Sequence, residues 1–158
     1  MQPEALFTIS NGLYVLSARR EDGYFAGSLI DAVCQVAANP DFVMISCMNS
    51  SYTKEVVEQT GEFALSVLPQ DIDPLTVGIF GFQSSRTVNK WAAIDGMELD
   101  GMMYVRQALS KIRCQVTESL EYPSNTVFFA KVVDACDCRS GEPLTYKMYR
   151  DGFKNKVM

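Results

Sequence analysis

Two long strands joined by a tight turn constrain the fold of this chain more than any other feature. In residues 112–120 the even positions are apolar, apart from Glu118, and the odd positions are polar. This alternation is typical of a strand with one buried face. Residues 122–125 form the turn, and residues 126–133 supply the antiparallel partner. Because shorter strands precede this pair, the pattern predicts a mainly β protein, a barrel rather than a βαβ sheet.

The segments before this pair carry their own strand and helix signals. Residues 42–47 are continuously apolar, so we expect a central strand that is buried on both faces. Residues 53–60 are amphipathic and are followed by Gly61, which predicts a short helix with a glycine cap. The other predicted elements are strands at 13–17, 24–30 and 63–68, a hairpin turn at 21–23, a loop at Gly27-Ser28, a short helical turn at 31–36 ended by Asn39-Pro40, a helix at 73–82 and a polar stretch at 83–90.

Composition and charge narrow the functional classes. The 158 residues are enough for one domain, over 1–158, with a sizeable core. With 14 basic and 19 acidic residues the net charge is −5, so we expect no nonspecific nucleic-acid binding. The chain has no histidine, which excludes Ser-His and Cys-His nucleophile pairs and imidazole metal ligands. We recognise no secretory or membrane-spanning segment, and therefore expect a cytoplasmic protein without a membrane partner.

The five cysteines suggest a reducing environment. Cys34, Cys47 and Cys114 lie in apolar or alternating segments, which predicts reduced, buried thiols. Cys136 and Cys138 could bind a metal or form a redox pair, but their spacing differs from that of a zinc ribbon and no second pair follows. We therefore favour a structural or incidental pair at a strand end, and we expect no metal site.

The junction between the predicted central strand and the first helix is the leading candidate for a binding site. Small hydroxyl and amide side chains run from Asn49 to Thr53, and Lys54 follows them. Backbone N–H groups at a helix N-terminus are free and carry positive partial charge, so this junction suits a phosphate. The alternative is that Ser50 or Ser51 caps the helix and that Lys54 is only solvated.

Other nucleotide-binding patterns are missing from the sequence. There is no Gly-x-Gly-x-x-Gly and no Gly-Lys-Ser/Thr loop, so neither a Rossmann fold nor a P-loop is supported. Lys90 and Trp91 end the polar stretch, and on their own they read as a solvated lysine and a core tryptophan. Since histidine is absent, redox chemistry carried by a bound cofactor is the expected kind of activity.

Several short motifs occur together in a recognisable order. In that order they resemble the flavin reductase-like family of FMN-binding split barrels, most closely the branch of ferric reductases and the flavin domain of high-molecular-weight rubredoxins. The similarity covers nearly the whole chain, and its specificity comes from order and spacing. The motifs are Gly12-Leu13-Tyr14-Val15-Leu16-Ser17, Ala26-Gly27-Ser28, Val33-Cys34-Gln35-Val36 with Pro40, Asn49 with Thr53-Lys54, Gly61-Glu62-Phe63-Ala64-Leu65-Ser66-Val67-Leu68, Phe80-Gly81-Phe82-Gln83-Ser84-Ser85-Arg86 with Lys90-Trp91, and Glu142-Pro143-Leu144-Thr145-Tyr146.

The resemblance implies a Greek-key split β-barrel that forms a homodimer and binds FMN. We place the phosphate of FMN at Asn49, Thr53 and Lys54, with Lys90 as a further cation. The flavin ring is expected along the backbone of residues 28–34 and 46–48. The residues predicted to bind the cofactor are Ser28, Asp31, Ala32, Val33, Cys34, Ser46, Cys47, Met48, Asn49, Thr53, Lys54, Lys90 and Trp91.

The resemblance also implies an oxidoreductase in which FMN passes electrons from NADH or NADPH to a small acceptor or a redox partner protein. The flavin does the chemistry in such proteins, so no catalytic side chain is expected. One alternative is an FMN-binding electron carrier without nicotinamide-dependent turnover, and another is a barrel that has lost the cofactor. The family often has Asn-Thr or Asn-Ser where this chain has Asp31-Ala32. A carboxylate there would oppose FMN binding unless Asp31 faces away from the site or meets a cation.

Overall fold

The computed structural model describes residues 1–157 of the chain. Strands dominate it, which confirms the prediction of a mainly β protein. The strands are β1 (Tyr14–Arg19), β2 (Phe25–Ile30), β3 (Val33–Ala37), β4 (Phe42–Met48), β5 (Glu62–Val67), β6 (Gly96–Leu99), β7 (Met102–Val105), β8 (Ser110–Glu121) and β9 (Asn125–Asp137). The α-helices are α1 (Tyr52–Thr60), α2 (Pro74–Phe82), α3 (Tyr146–Met148) and α4 (Lys154–Val157), with 3-10 turns at Pro3–Thr8 and Lys90–Ala93 and a π-helical turn at Tyr149–Phe153.

Seven antiparallel strands form one sheet in the order β2-β1-β5-β8-β9-β4-β3, and β6 pairs with β7 in a separate hairpin. The edge strands β2 and β3 follow one another in sequence, with only Asp31 and Ala32 between them. The sheet therefore curls until its two edges approach each other. There the Ser46 N–H donates to the Ala32 carbonyl at 3.0 Å. The result is a barrel that stays split between β2 and β3.

The β8–β9 hairpin confirms the predicted strand pair, and it is longer than the alternation indicated. Its register runs from Ser110 opposite Asp137 to Glu121 opposite Thr126. Two irregularities in this register bend the hairpin, as β-bulges do. On its other side, β9 pairs with β4 only as far as Lys131. The last part of β9 therefore pairs with β8 on one side and extends past β4 on the other.

The inside of the barrel is filled by apolar side chains that we call the interior cluster. Most of them come from alternate strand positions, and two consecutive valines of α1 close one end of the barrel. Such alternation is the expected result of a sheet with one buried face. The members are Leu16, Ala18, Ala26, Ile30, Val43, Ile45, Cys47, Val56, Val57, Phe63, Leu65, Cys114, Phe128 and Ala130.

A second apolar group, the lateral cluster, lies outside the barrel wall. It joins the outer faces of β1 and β2 to α2, to the turn that contains Trp91 and to the C-terminal segment. Phe80 and Trp91 meet edge to face there, with ring centroids 4.7 Å apart. The members are Leu13, Val15, Phe25, Leu68, Ile72, Val77, Phe80, Trp91, Val105 and Leu144.

Three predicted elements differ from the structure. The helical turn expected at 31–36 is wrong, because most of that segment is β3 and pairs with β4. The loop expected at Gly27-Ser28 is wrong, since both residues pair with β1 inside β2. The prediction that residues 42–47 are buried on both faces is also wrong, because β4 buries only every second side chain. Only one face of the curled sheet covers the interior cluster. The predicted helices and the Gly61 cap of α1 are confirmed.

The cysteines divide into buried and exposed groups. Cys47 and Cys114 are buried, as predicted, whereas Cys34 is exposed because β3 is an edge strand with an outward-facing surface. Cys136 and Cys138 are exposed at the end of β9. Within residues 1–157, no helix has the length and apolarity that a membrane crossing requires.

Candidate flavin cleft

A cleft of about 350 Å³ lies at the split in the barrel, where β2, β4 and the N-terminus of α1 converge. One wall is the end of β2 and the link to β3, and the opposite wall is the end of β4 with the first turn of α1. The loop after α2 closes the third side. The residues that line it are Ser28, Leu29, Ile30, Asp31, Ala32, Ser46, Cys47, Met48, Ser50, Ser51, Tyr52, Thr53, Phe80, Gly81, Gln83, Ser84, Ser85, Lys90 and Asn125.

The outer edge of β2 supplies backbone groups to this cleft. At Gly27 the edge is closed by one side chain: the Ser85 hydroxyl accepts from the Gly27 N–H and donates to the Gly27 carbonyl, both at 2.9 Å. Backbone groups of a strand alternate in direction, so Leu29 is the next residue whose N–H and C=O point away from β1. Because Leu29 lines the cleft, its backbone offers a donor and an acceptor to a ligand.

Gly27 lies where the wall of the cleft meets the lateral cluster. A Cβ at this position would lie 2.6 Å from Phe80 Cε1 and 3.1 Å from Trp91 Nε1. Only glycine therefore lets β2 lie directly on these two rings. Trp91 is buried in the lateral cluster and does not line the cleft, so the sequence reading of Trp91 as a core residue fits the structure better than direct cofactor contact.

Lys90 lines the cleft but is not a free cation. Its side chain is only 2% exposed, and Nζ donates to the Gly27 carbonyl at 2.8 Å and to the Phe80 carbonyl at 3.1 Å. Burial lowers the pKa of Lys90 from 10.5 to about 8. Lys90 thus ties β2 to the end of α2 and leaves its third N–H as the donor that could reach a ligand.

The N-terminus of α1 forms the polar end of the cleft. Ser51 is the N-cap and accepts from the Lys54 N–H at 3.4 Å, which confirms the capping alternative for this serine. Thr53 is buried and lines the cleft. Two guanidinium groups lie near the ring of Tyr52, Arg20 at 5.4 Å and Arg86 at 4.7 Å from its centroid. Two cations therefore stand beside the helix end that attracts anions.

The side chains of Asn49 and Lys54 form their hydrogen bonds and ion pair outside the cleft. The Asn49 Nδ2 donates to the Tyr122 carbonyl at 2.9 Å, and its Oδ1 accepts from the Thr126 hydroxyl at 2.6 Å. Asn49 thereby fastens the end of β4 to the tip of the β8–β9 hairpin. Lys54 forms an ion pair with Glu58 one turn along α1. Neither side chain is part of the cleft lining.

Eight of the thirteen predicted cofactor residues come together in the cleft. The eight are Ser28, Asp31, Ala32, Ser46, Cys47, Met48, Thr53 and Lys90. Five lie outside its lining, namely Val33, Cys34, Asn49, Lys54 and Trp91. Burial raises the pKa of the Cys47 thiol to about 12, so Cys47 remains a neutral thiol in the cleft wall. Among residues 1–157 no group of three or more histidine, cysteine or carboxylate side chains is placed to hold a metal.

Asp31 stands at the junction of the cleft with a neighbouring depression of about 240 Å³. That depression is also lined by Lys147 and Arg150, which both face the carboxylate of Asp151. The Asp31 side chain has neither a hydrogen bond nor an ion pair within residues 1–157. Its carboxylate is therefore half-buried beside the cleft without a local partner.

Sequence reasoning missed the polar loop after α2 and the aromatic residue at the start of α1 as site residues. Ser84 and Ser85 line the cleft, and Arg86 bonds Glu55 at 2.7 Å while it stacks on Tyr52. The motif Ser84-Ser85-Arg86 marked this loop, but no spacing rule links it to a glycine almost 60 residues earlier. Only the curl of the sheet brings the two segments together.

The architecture defines the class: it is that of the flavin reductase split barrels, and the Greek-key split-barrel expectation is confirmed. The solved structure of the flavin reductase PheA2 superposes with a TM-score of 0.77 at 25% identity, covering 90% of this chain and 88% of that one. Residues 6–155 match the model of the flavin reductase like domain, and the chain belongs to that family.

Two curated proteins are similar to this chain over most of its length. The chain is 28% identical to the high molecular weight rubredoxin of Moorella thermoacetica over 94% of its own length, but it spans only 66% of that relative. It is 29% identical to a ferric-chelate reductase (NAD(P)H) of Archaeoglobus fulgidus, over 99% of this chain and 94% of the relative. Family membership makes the chain a flavin-reductase-type oxidoreductase.

Proposed function

We propose that this protein binds FMN in the cleft and uses it to pass electrons from NADH or NADPH to a small acceptor or a redox partner protein. One observation carries the proposal: the free backbone edge of β2 faces the N-terminus of α1 across a single cleft. The first suits the hydrogen-bonding edge of a flavin ring, and the second suits a phosphate. FMN, when bound, would accept two electrons from a nicotinamide and release them to the acceptor.

The donor set of the cleft fits FMN. The backbone of Leu29 offers one N–H and one C=O, while Ser46 and Asn125 add polar side chains from the opposite wall. Phe80 and Met48 provide apolar surface on which a flat ring can lie. Residues of this chain would therefore orient the ring and limit the access of water, and none of them needs to act as a nucleophile.

We assign the phosphate to the first turn of α1 rather than to Asn49 and Lys54. Ser50, Ser51 and Thr53 line that end of the cleft, and their hydroxyls and the backbone N–H of Thr53 are donors that suit phosphate oxygens. Arg86 stands beside them on Tyr52. This assignment keeps Thr53 from the sequence prediction and leaves out Asn49 and Lys54, which lie outside the cleft lining.

Titration of the apo-protein with FMN and with riboflavin tests the assignment. Thr53→Val removes the hydroxyl and keeps the shape, so FMN affinity should fall by about 1–3 kcal/mol while riboflavin affinity stays within twofold. Lys54→Met is the matched control because Lys54 lies on the same helix but outside the cleft, and it should leave both affinities unchanged. Equal losses for both ligands in Thr53→Val would place the phosphate elsewhere.

Anaerobic mixing of the FMN-loaded protein with each nicotinamide tests the reaction. Rapid loss of the visible flavin absorbance with NADH or NADPH supports the reductase function. Absence of bleaching with both, in a protein that remains yellow, would instead support the alternative of an FMN-binding carrier that receives electrons from another protein. A protein that binds no flavin at all would contradict both.

We also propose that the protein works as a homodimer. Several large apolar side chains around the β3–β4 face and the hairpin tip are exposed, including Val36, Met48 and Tyr122. Exposed apolar side chains grouped on one face favour an interface. Light scattering after size exclusion should give twice the mass of the chain, and Val36→Asp should shift the protein to a monomer. A monomeric wild type would contradict this proposal.

A further inference from the structure

Two exposed thiols meet at the far end of β9. Cys136 and Cys138 are two residues apart, so their side chains lie on the same side of the extended chain. Their Sγ atoms are 3.0 Å apart, and Cys138 Sγ also lies 3.4 Å from the Cys136 carbonyl oxygen. The backbone at this point is anchored, because the Cys138 N–H donates to the Leu109 carbonyl at 2.8 Å. The two sulfurs are thus held together by the fold and are open to solvent.

We propose that Cys136 and Cys138 form a reversible intramolecular disulfide, a redox couple that is separate from the flavin cleft and exchanges with external disulfides. A disulfide bond is about 2.05 Å long, so the sulfurs need to approach by only about 1 Å. The position at the exposed end of a strand allows that movement without disturbing the interior cluster, to which neither residue belongs.

The surroundings favour a disulfide over a metal site. A metal bound by two thiolates at about 2.3 Å each separates the sulfurs to well beyond their present distance. Stable zinc sites need four ligands, and residues 1–157 bring no third histidine, cysteine or carboxylate into a ligating group with this pair. The sulfurs therefore have the separation and the ligand environment of a dithiol.

Groups around the pair act on the pKa of Cys136 in opposite directions. The hydrogen bond with Cys138 and partial desolvation raise the pKa of the Cys136 thiol, and the Lys111 ammonium acts in the opposite direction. Lys111 is the cross-strand neighbour of Cys136 in the β8–β9 hairpin. Both thiols are open to solvent, so either can begin the exchange once it has lost its proton.

The exchange balances without any further reactant. Written with Cys138 as the first nucleophile, the thiolate attacks one sulfur of a disulfide R–S–S–R, forms a mixed disulfide and releases one thiol R–SH after protonation. Cys136 then loses its proton and attacks Cys138 Sγ. The mixed disulfide breaks, the Cys136–Cys138 bond forms and the second R–SH leaves. The pair loses two electrons and two protons, and the external disulfide gains them.

The two cysteines are separated from the cleft along the length of β9. Asn125, at the start of β9, lines the cleft, and Cys136 lies eleven residues further along the same strand. At about 3.3 Å per residue, the separation along β9 is about 35 Å. Neither cysteine lines the cleft, and we treat the dithiol as a separate site.

Equilibration in glutathione buffers tests the proposal on the full chain. The reduced protein is incubated at increasing ratios of glutathione disulfide to glutathione, quenched with an alkylating agent and analysed by mass spectrometry. The wild type should lose two alkylatable thiols together, and the peptide holding both residues should be lighter by two hydrogens. Cys136→Ser and Cys138→Ser should each lose this transition completely and carry a lasting glutathione adduct. Cys34→Ser, another exposed thiol, is the matched control and should keep the wild-type transition.

Two results would overturn the proposal. One is a wild type whose Cys136 and Cys138 carry stable glutathione adducts, as the single variants should. The other is retention of Cu(I) added alone in competition with a chromophoric chelator, lost in Cys136→Ser, in a protein that shows no disulfide at any glutathione ratio. That second result would assign the pair to soft-metal binding. Circular dichroism of each variant checks that the fold is intact.

Discussion

The interior cluster and the lateral cluster are both apolar, but they join different parts of the chain. The interior cluster is built from alternate residues of neighbouring strands, and it holds the barrel together. The lateral cluster joins β1 and β2 to segments that are distant in sequence, among them α2 and the turn with Trp91. Phe80 belongs to the lateral cluster and also lines the cleft. The interior cluster also reaches the cleft, through Ile30 and Cys47. Stability is therefore expected to depend on both clusters, and ligand binding on those members of each cluster that line the cleft.

The largest expected effect separates the clusters directly. Phe63→Ala in the interior cluster and Phe80→Ala in the lateral cluster each remove a buried phenyl ring, and each should lower the free energy of unfolding by about 3–5 kcal/mol. In folded protein, Phe63→Ala should keep FMN affinity within twofold, whereas Phe80→Ala should reduce it at least tenfold. Urea unfolding and FMN titration of both variants check this. Equal FMN losses would show that the clusters are not functionally distinct.

Lys90 gives a second test, in which the free energy of unfolding of the wild type and of Lys90→Met is compared as a function of pH. In Lys90→Met the Phe80 carbonyl loses its only described side-chain donor, which should cost about 1–3 kcal/mol at neutral pH. The folded pKa of about 8 lies below the ordinary 10.5, so the unfolded chain binds more protons between these values. Wild-type stability relative to Lys90→Met should therefore rise from pH 8 to 10.5 and stay flat below pH 8. A difference that shrinks with rising pH would contradict a buried, charged Lys90.

Asn49 should affect the barrel without affecting the ligand. Asn49→Ala removes the hydrogen bonds to the Tyr122 carbonyl and the Thr126 hydroxyl, so we expect a loss of about 1–2 kcal/mol in unfolding free energy. FMN affinity should change less than twofold, because Asn49 is not part of the cleft lining. Thr126→Val is a partner variant that removes one of the same bonds. A large loss of FMN affinity in Asn49→Ala would restore the phosphate role expected from the sequence.

The smallest expected effect is at Asp31, which should affect binding and leave stability unchanged. Its carboxylate lies at the cleft without a partner, and like charges repel strongly where water is partly excluded. Asp31→Asn should tighten FMN binding by about 0.5–1 kcal/mol and raise the midpoint potential, since reduced FMN is the more negative state. Spectroelectrochemistry and titration measure both quantities. Values identical to the wild type would mean that Asp31 faces away from the flavin.

Much of the fold could be predicted from local patterns. The alternation in residues 112–120 and the turn at 122–125 identified the β8–β9 hairpin, and the apolar face of residues 53–60 with Gly61 identified α1. Residues 31–36 misled because their apolar side chains fit a helical turn, while the partner that makes them a strand is β4. The separate β6–β7 hairpin was not predicted at all. Pairing across the sheet, which local sequence does not encode, decided these cases.

The residues of the candidate site also divide into those that could be predicted from the sequence and those that could not. Thr53 was indicated by the start of a helix, where backbone N–H groups are free, whereas Ser28 was indicated by the family resemblance. Asn49 and Lys54 were assigned to the phosphate because their types suit it, but each has a nearer partner in the fold. The roles of Ser85 and Arg86 were missed because they depend on contacts with Gly27 and Tyr52, which only tertiary structure creates.

The bonding of Ser85 to Gly27 has a consequence for the protein before any ligand arrives. An exposed strand edge invites pairing with another chain and so promotes aggregation. One hydroxyl occupies both backbone groups of Gly27, and a neighbouring lysine shares the carbonyl. Near the cleft, the open part of β2 is reduced to the backbone of Leu29, a length too short to template a foreign strand. The opening that we propose for a flavin is in this way closed to another polypeptide.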